Sequence, residues 1–294
     1  MEQSTTLSLF HVDEIMFPFI EGAFVCKTGK VLEGFFLIDT GSTENMFNYE
    51  AIHTLADENF VEESKTISAI QNQGEECRMA NISIKVGNIE SNEVFCISKQ
   101  ISFEQAFGKN QIIGVLGVDF LRKNHLVLDL EKKCLSTSSE EDFSLENKSF
   151  VFPMGFGFHH YGIPVIGIIK DKQEFVCVVD SGSNYNTLSQ YALDHGTEKA
   201  ALQEGGTTIH GLFGSIDASL VNAEFSLLSI GDKEGETVLK KDAATFQILQ
   251  GQQYLAKSGV ENVPPLHGLI GTKYMLQKKW VLDFGKEVIY SQCA

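Results

Sequence analysis

Two aspartates are set apart by their surroundings. Asp39 ends the apolar run Phe35-Phe36-Leu37-Ile38 and is followed by Thr40-Gly41-Ser42. Asp180 ends Phe175-Val176-Cys177-Val178-Val179 and is followed by Ser181-Gly182-Ser183. One Asp-Gly turn behind a strand is common and needs no chemistry. Two such turns, one in each half of the chain, predict a pair of carboxylates brought together about an approximate two-fold axis. Two carboxylates in contact cannot both ionise easily, so they share a proton and can act as base and acid on one water. The pair would titrate in two steps that belong to neither residue alone. Gly41 and Gly182 would let the backbone turn tightly and bring amides to the carboxylate oxygens. The Thr40 and Ser181 hydroxyls are expected to bond across between the loops. Those of Ser42 and Ser183 are expected to donate to the outer carboxylate oxygens, which would lower their pKa and favour an acidic optimum.

The elements that must position these loops also recur. After Asp39 come Gly114-Val115-Leu116-Gly117 and Leu126-Val127-Leu128-Asp129; after Asp180 come Gly268-Leu269-Ile270-Gly271 and Trp280-Val281-Leu282-Asp283. First glycine and last aspartate lie fifteen positions apart in both halves, 114 to 129 and 268 to 283. Upstream, Phe17-Pro18-Phe19-Ile20 matches Ile163-Pro164-Val165-Ile166. Three blocks in one order, twice, point to a duplicated structural unit. The apolar pairs between the glycines should pack behind the Asp loops. Asp129 and Asp283 lack the Thr/Ser-Gly turn, so a strand-end or salt-bridge role is expected of them.

Taken together, these blocks resemble the aspartic peptidases, whose signature in each lobe is an Asp-Thr/Ser-Gly loop followed later by two apolar residues and a glycine. The continuation Asp119-Phe120-Leu121-Arg122 is similar to the retroviral-type branch, whereas two halves in one chain resemble pepsin. The resemblance implies a mainly β fold. Two related β-barrel-like lobes of the pepsin/retropepsin type, residues 1–140 and 141–294, would flank an active-site cleft. It implies an aspartic-type endopeptidase with Asp39 and Asp180 as catalytic residues. Thr40, Gly41, Ser42, Ser181, Gly182 and Ser183 would support the loops. No cofactor or metal is implied, and the partner would be a peptide or protein substrate on a monomer. A hairpin should close over the substrate between the Asp loop and the Gly-apolar-apolar-Gly block. Its candidates are Ser68 to Gly74, with Ala69 and Ile70, and His210 to Gly214, with Gly211, Leu212 and Phe213. The alternative is a peptide-binding or scaffold protein that kept the lobes and lost turnover.

Composition narrows the remaining classes. The chain has 294 residues, is 43% hydrophobic and carries a formal charge of −16, which suits a globular protein and opposes binding to nucleic-acid phosphates or anionic membranes. Apolar runs are too short to span a bilayer. Six cysteines without a C-x-x-C pair give no zinc spacing; free thiols and a cytoplasmic setting are expected. The N-terminus lacks the basic start and apolar core of a secretory signal, so the expectation is an intracellular protein, or a secreted or periplasmic one whose signal was removed. No phosphate-binding glycine loop and no Gly-x-Ser-x-Gly elbow occur. Turn residues at Gly29-Lys30, Gly87-Asn88, Asp171-Lys172 and Gly231-Asp232 separate strand-like runs. Helices are expected over Tyr49–Leu55, Phe120–Lys123 and Tyr274–Lys278, and a linker over Ser136–Ser149. Asp39 to Gly114 spans 75 positions and Asp180 to Gly268 spans 88; the excess is expected near Gly231 to Gly251, as a surface insertion.

Overall fold

Strand follows strand in this chain, and the repeat of motifs becomes a repeat of elements. A computed structural model describes residues 4–12, 15–26, 28–48, 55, 59–67, 75–97, 111–139, 143–211, 214–231, 236–257 and 262–292. The first half contains β1 (Ser4–Thr6), β2 (Ser8–Val12), β3 (Ile15–Val25), β4 (Val31–Ile38), β5 (Asn45–Phe47), β6 (Phe60–Ile67), β7 (Glu75–Val86), β8 (Ile89–Ile97) and β9 (Ile112–Leu116). It ends with α1 (Val118–Lys123), β10 (Leu126–Asp129) and β11 (Cys134–Thr137). The second half runs β12 (Lys148–Pro153), α2 (Gly155–His160), β13 (Val165–Lys170), β14 (Gln173–Asp180), β15 (Asn186–Ser189), α3 (Gln190–Gly196), β16 (Lys199–Gly211), β17 (Gly214–Ile230) and β18 (Thr237–Leu249). Then come β19 (Leu266–Gly271), α4 (Thr272–Gln277), β20 (Trp280–Asp283) and β21 (Val288–Gln292).

Each half curls into a closed ring of six strands. In the first the order is β3-β4-β9-β5-β8-β7, closed by β3 on β7 from Ala23↔Lys85 to Val25↔Ser83. In the second it is β13-β14-β19-β15-β18-β17, closed through Ile168↔Leu227. Closure pairs the two strands that would otherwise be the edges of each six-stranded sheet. β2 and β6 extend the first ring, and β16 extends the second. Alternation along the strands fills the interiors: Phe24, Phe36, Phe47 and Phe95 are buried in the first, and Phe175, Phe225 and Phe246 in the second.

A third sheet, β1-β11-β10-β20-β21-β12, takes three strands from each half. At its centre β10 and β20 run antiparallel, with Leu128 opposite Leu282 and Val127 and Asp129 opposite Asp283 and Val281. Leu128 and Leu282 are the same position of the repeat, so a local two-fold axis passes between them. Trp280 is buried here and stacks on Phe150 at 5.0 Å between centroids. Truncating such a buried ring to Ala costs about 3–5 kcal/mol. The main apolar cluster is continuous through both halves and this sheet.

Several local expectations meet a different outcome. The linker region Ser136–Ser149 begins inside β11 and ends inside β12, because its polar ends pair within the shared sheet. Two helices were not foreseen. α2 carries two glycines yet is held by Phe158, which packs on Phe284 and lies under the Arg122 guanidinium at 4.4 Å. α3 is capped by Ser189, whose hydroxyl accepts from the Ala192 amide. The Tyr49–Leu55 helix lies outside the described residues except for Leu55, which is buried. The extra length of the second half includes a longer hairpin: β17 and β18 pair out to Ile230↔Thr237, whereas β7 and β8 close at Val86↔Ile89. Cys26, Cys77, Cys96, Cys134 and Cys177 are free thiols. Among the described residues no helix is long and apolar enough to cross a membrane.

Candidate active site

Parallel strand pairs deliver both aspartates to the two-fold axis. β4 lies beside β9, with Ile38 opposite Leu116, and the Asp39 amide donates to the Leu116 carbonyl at 3.0 Å. β14 lies beside β19, with Asp180 opposite Gly271. Val115, Leu116, Leu269 and Ile270 are buried behind these loops. Beyond each aspartate the chain is hooked to the start of a helix. Val118 N donates to Ser42 O at 2.8 Å in one half, and Thr272 N donates to Ser183 O at 2.8 Å in the other.

An asparagine pins each loop. Asn45 Oδ1 accepts from the Gly117 amide and Asn186 Oδ1 accepts from the Gly271 amide, both at 3.0 Å. Both side chains are buried, where an unpaired amide would be costly. Sequence reasoning missed this pair. The signal was available, since each asparagine stands six positions after its aspartate.

Thr40 and Ser181 lock the loops to each other. Thr40 Oγ1 donates to Val179 O at 2.6 Å and accepts from Ser181 N at 2.9 Å. Ser181 Oγ donates to Ile38 O at 2.7 Å and accepts from Thr40 N at 3.0 Å. Both residues are fully buried. Thr40→Val keeps the shape but removes the hydroxyl, orphaning the Ser181 amide and the Val179 carbonyl. Each orphaned group costs about 1–3 kcal/mol, so urea unfolding is expected to show a loss of that order. A midpoint equal to the native one would mean that the lock carries no stability.

The aspartates meet at this lock. Their carboxyl groups face each other across the axis, close enough for each to act on the proton affinity of the other. Gly41 N donates to Asp39 Oδ1 and Gly182 N to Asp180 Oδ1, each at 2.8 Å. The glycines also admit the opposite carboxylate. A Cβ on Gly41 would stand 2.5 Å from Asp180 Cγ, and one on Gly182 would stand 2.5 Å from Asp39 Cγ. Only a residue without a side chain fits either place.

Electrostatics follow from this enclosure. Each aspartate keeps some exposure to solvent, but protein walls most of its surroundings. Desolvation is the largest influence on both and raises both above the ordinary carboxylate value. For Asp180 the charge of Asp39 and their mutual interaction add to the rise. On Asp39 the interaction with Asp180, then the amides of Gly41, Ser42 and Gly182, act in the opposite direction, and on Asp180 the amides of Gly182 and Ser183 do. Of the two, Asp180 is raised further and is the group that keeps its proton above the ordinary carboxylate range.

The Ser42 and Ser183 hydroxyls do something else than expected. Ser42 Oγ donates to Glu44 O at 2.8 Å and Ser183 Oγ to Tyr185 O at 3.1 Å. A carbonyl two residues on is within easy reach of a serine, and backbone amides already occupy the carboxylates. Neither hydroxyl therefore pulls the carboxyl groups toward acid, and burial dominates.

Asp129 and Asp283 close turns at strand ends. Asp129 Oδ1 accepts from the Lys132 amide, and its other oxygen pairs with Lys132 Nζ at 3.1 Å. Asp283 accepts from the amides of Gly285 and Lys286 and from the Ser138 hydroxyl. Of the flap candidates, Gly211 pairs with Gly214 at the end of the β16–β17 hairpin. Ala69 and Ile70, with the rest of Ser68 to Gly74, and Leu212 and Phe213 lie outside the described residues. Among the described residues no group of three or more His, Cys, Asp or Glu side chains could hold a metal ion. In comparisons with known proteins, no family model matches this chain and no curated protein matches it.

Proposed function

We propose that the protein is an aspartic-type endopeptidase, with Asp39 and Asp180 activating a water between two lobes of the pepsin/retropepsin kind. The observation that carries this reading is the close approach of the two carboxyl groups, each set against the glycine of the opposite loop, on loops that grip each other through Thr40 and Ser181. One carboxyl is ionised and takes a proton from the water as its oxygen attacks the scissile carbonyl carbon. The protonated carboxyl gives its proton to the carbonyl oxygen. In the tetrahedral diol that results, a proton passes to the peptide nitrogen and the C–N bond breaks. A carboxylic acid and an amine leave, and the pair again holds one proton. Substrate binds extended, adding its backbone to the edges of the β6–β7 and β16–β17 hairpins.

The pH–rate profile tests this. Turnover needs one carboxyl ionised and one protonated, so the rate follows a bell. Its acid limb is ionisation of the first group, and its alkaline limb is loss of the shared proton. Because burial raises both groups and Asp180 furthest, the alkaline limb is expected well above the ordinary carboxylate range. The measurement is hydrolysis of a mixed peptide library across pH, with a chelator present throughout. A rate that climbs steadily into alkali, or that collapses on chelation, would overturn the reading.

A further inference from the structure

Each half reaches across to the catalytic loop of the other, and the two contacts are not alike. Met16 and Gly162 are the same position of the repeat, one before Phe17-Pro18 and Ile163-Pro164. Gly162, at a φ of +71°, lies so near Thr43 that a Cβ on it would stand 2.9 Å from Thr43 Cγ2. Met16 meets the matching residue of the other loop, Asn184, whose Oδ1 accepts from the Met16 amide at 3.5 Å. The contact on the first loop is packing, and the one on the second is polar.

One further position carries the difference. Val118 and Thr272 open α1 and α4, and their amides make the same bond, to Ser42 O and Ser183 O. Thr272 has a hydroxyl where Val118 has a methyl. Its Oγ1 lies 2.9 Å from Met16 O and 3.2 Å from Ser183 O and shares its proton between the two carbonyls. Thr272 is 1% exposed and Asn184 6%, so water competes little for these groups. Asn184 Nδ2 is buried without a partner. The side chain cannot turn over to relieve it and keep its bond, because Met16 N is a donor and needs the oxygen. Ser183, held at its carbonyl by Thr272, acts through its amide on the Asp180 carboxyl and favours the ionised form. Met16 stands one residue inside β3, next to the β2–β3 turn. The N-terminal hairpin of the first half is thus linked, through one hydroxyl and one loop residue, to the second aspartate.

We propose that Thr272, together with Asn184, is a positioning residue for Asp180: it docks the β2–β3 hairpin on the second catalytic loop and keeps Ser183 aimed at the carboxyl. Asp39 has the packing of Gly162 in place of such a tether. This deepens the peptidase reading and rests on it. A group that must move a proton is sensitive to displacements well under the width of an atom, so a tether one bond removed from the carboxyl bears on rate.

Thr272→Val in the full chain tests this, since it keeps the shape, removes the hydroxyl and installs the residue that the first half uses at this place. Its kcat on a peptide library is expected to fall about tenfold, with KM near native. The alkaline limb of the pH–rate bell is expected to move to higher pH, because a Ser183 amide less well aimed stabilises the Asp180 carboxylate less. The acid limb is expected to stay. Thr272→Ser restores the hydroxyl and is expected to restore both rate and limb, and Thr272→Ala repeats the loss without a branched side chain. A lower rate with unmoved limbs, or one that Thr272→Ser does not rescue, means support by bulk alone and overturns the proposal. Titration of ¹³C-labelled aspartate carboxyls by NMR, assigned with Asp180→Asn, reads the same effect without turnover. An Asp180 midpoint raised in Thr272→Val and restored in Thr272→Ser, in a protein whose native form cleaves nothing, would sink the peptidase reading and keep the tether. A midpoint that none of these variants moves would sink the tether, and the peptidase reading would stand on the native activity.

Discussion

Asp39→Asn and Asp180→Asn are each expected to abolish peptide hydrolysis, with a loss of at least about 10³-fold in kcat. An amide has nearly the volume of the carboxyl and can still accept from Gly41 N or Gly182 N. It cannot take a proton from water, nor share one across the axis. The fold is expected to survive, and its stability should change with pH in a defined way. A carboxyl whose pKa is raised in the folded state binds more protons folded than unfolded, so stability falls as pH rises from the ordinary carboxylate pKa through the raised one. Both aspartates are raised, so the native protein loses stability across that window. Either Asn variant, with one titrating partner gone, is expected to show a flatter profile. Urea unfolding at several pH values measures this beside the activity assay. Full turnover in both variants would show that another group carries the reaction.

Gly41→Ala and Gly182→Ala are expected to be almost as damaging, through geometry alone. The added methyl would lie 2.5 Å from the carboxyl carbon of the opposite aspartate, closer than atoms can approach. Either the loops part or the carboxyl rotates away, and the close approach of the two carboxyl groups is lost in both cases. A displacement near 1 Å at a reacting group can cost about 10²-fold in rate, and overpacking a tight site costs about 1–3 kcal/mol in stability. The contrast is Gly155→Ala, where a Cβ would meet only Glu287 Oε2 at 3.7 Å. There kcat and the unfolding midpoint are expected to stay near native. Native-like kinetics in Gly41→Ala would mean that the aspartates do not need their close approach.

Much of this arrangement could be read from the chain because backbone demands leave residue-level marks. A carboxylate at a strand end, a glycine where another chain passes within contact, and a Gly-apolar-apolar-Gly strand behind the loop each tolerate few residue types. Their repetition gave the pairing. The Ser42 and Ser183 hydroxyls were misread because a serine has several acceptors in reach, and its type does not say which it uses. Asn45 and Asn186 went unread for the opposite reason: a buried asparagine looks like a surface one until burial is known. α2 was hidden because its glycines argue against a helix, and only tertiary packing of Phe158 overrides them. β11 and β12 were hidden by the acidic stretch between them, since polar residues toward a sheet margin look the same as a linker.

The pairing of Leu128 with Leu282 has a consequence for how the halves depend on each other. Equivalent residues face each other across that axis, so the contact is isologous, the kind that joins identical subunits. A homodimer interface is in effect written into one polypeptide, with the tether making the local concentration of each half permanent for the other. Severed from its sister, either half would bare a hydrogen-bonding edge, at Leu126–Asp129 or at Trp280–Asp283. Such an edge complements a second copy of itself by the same geometry, which makes self-association the natural fate of an isolated half.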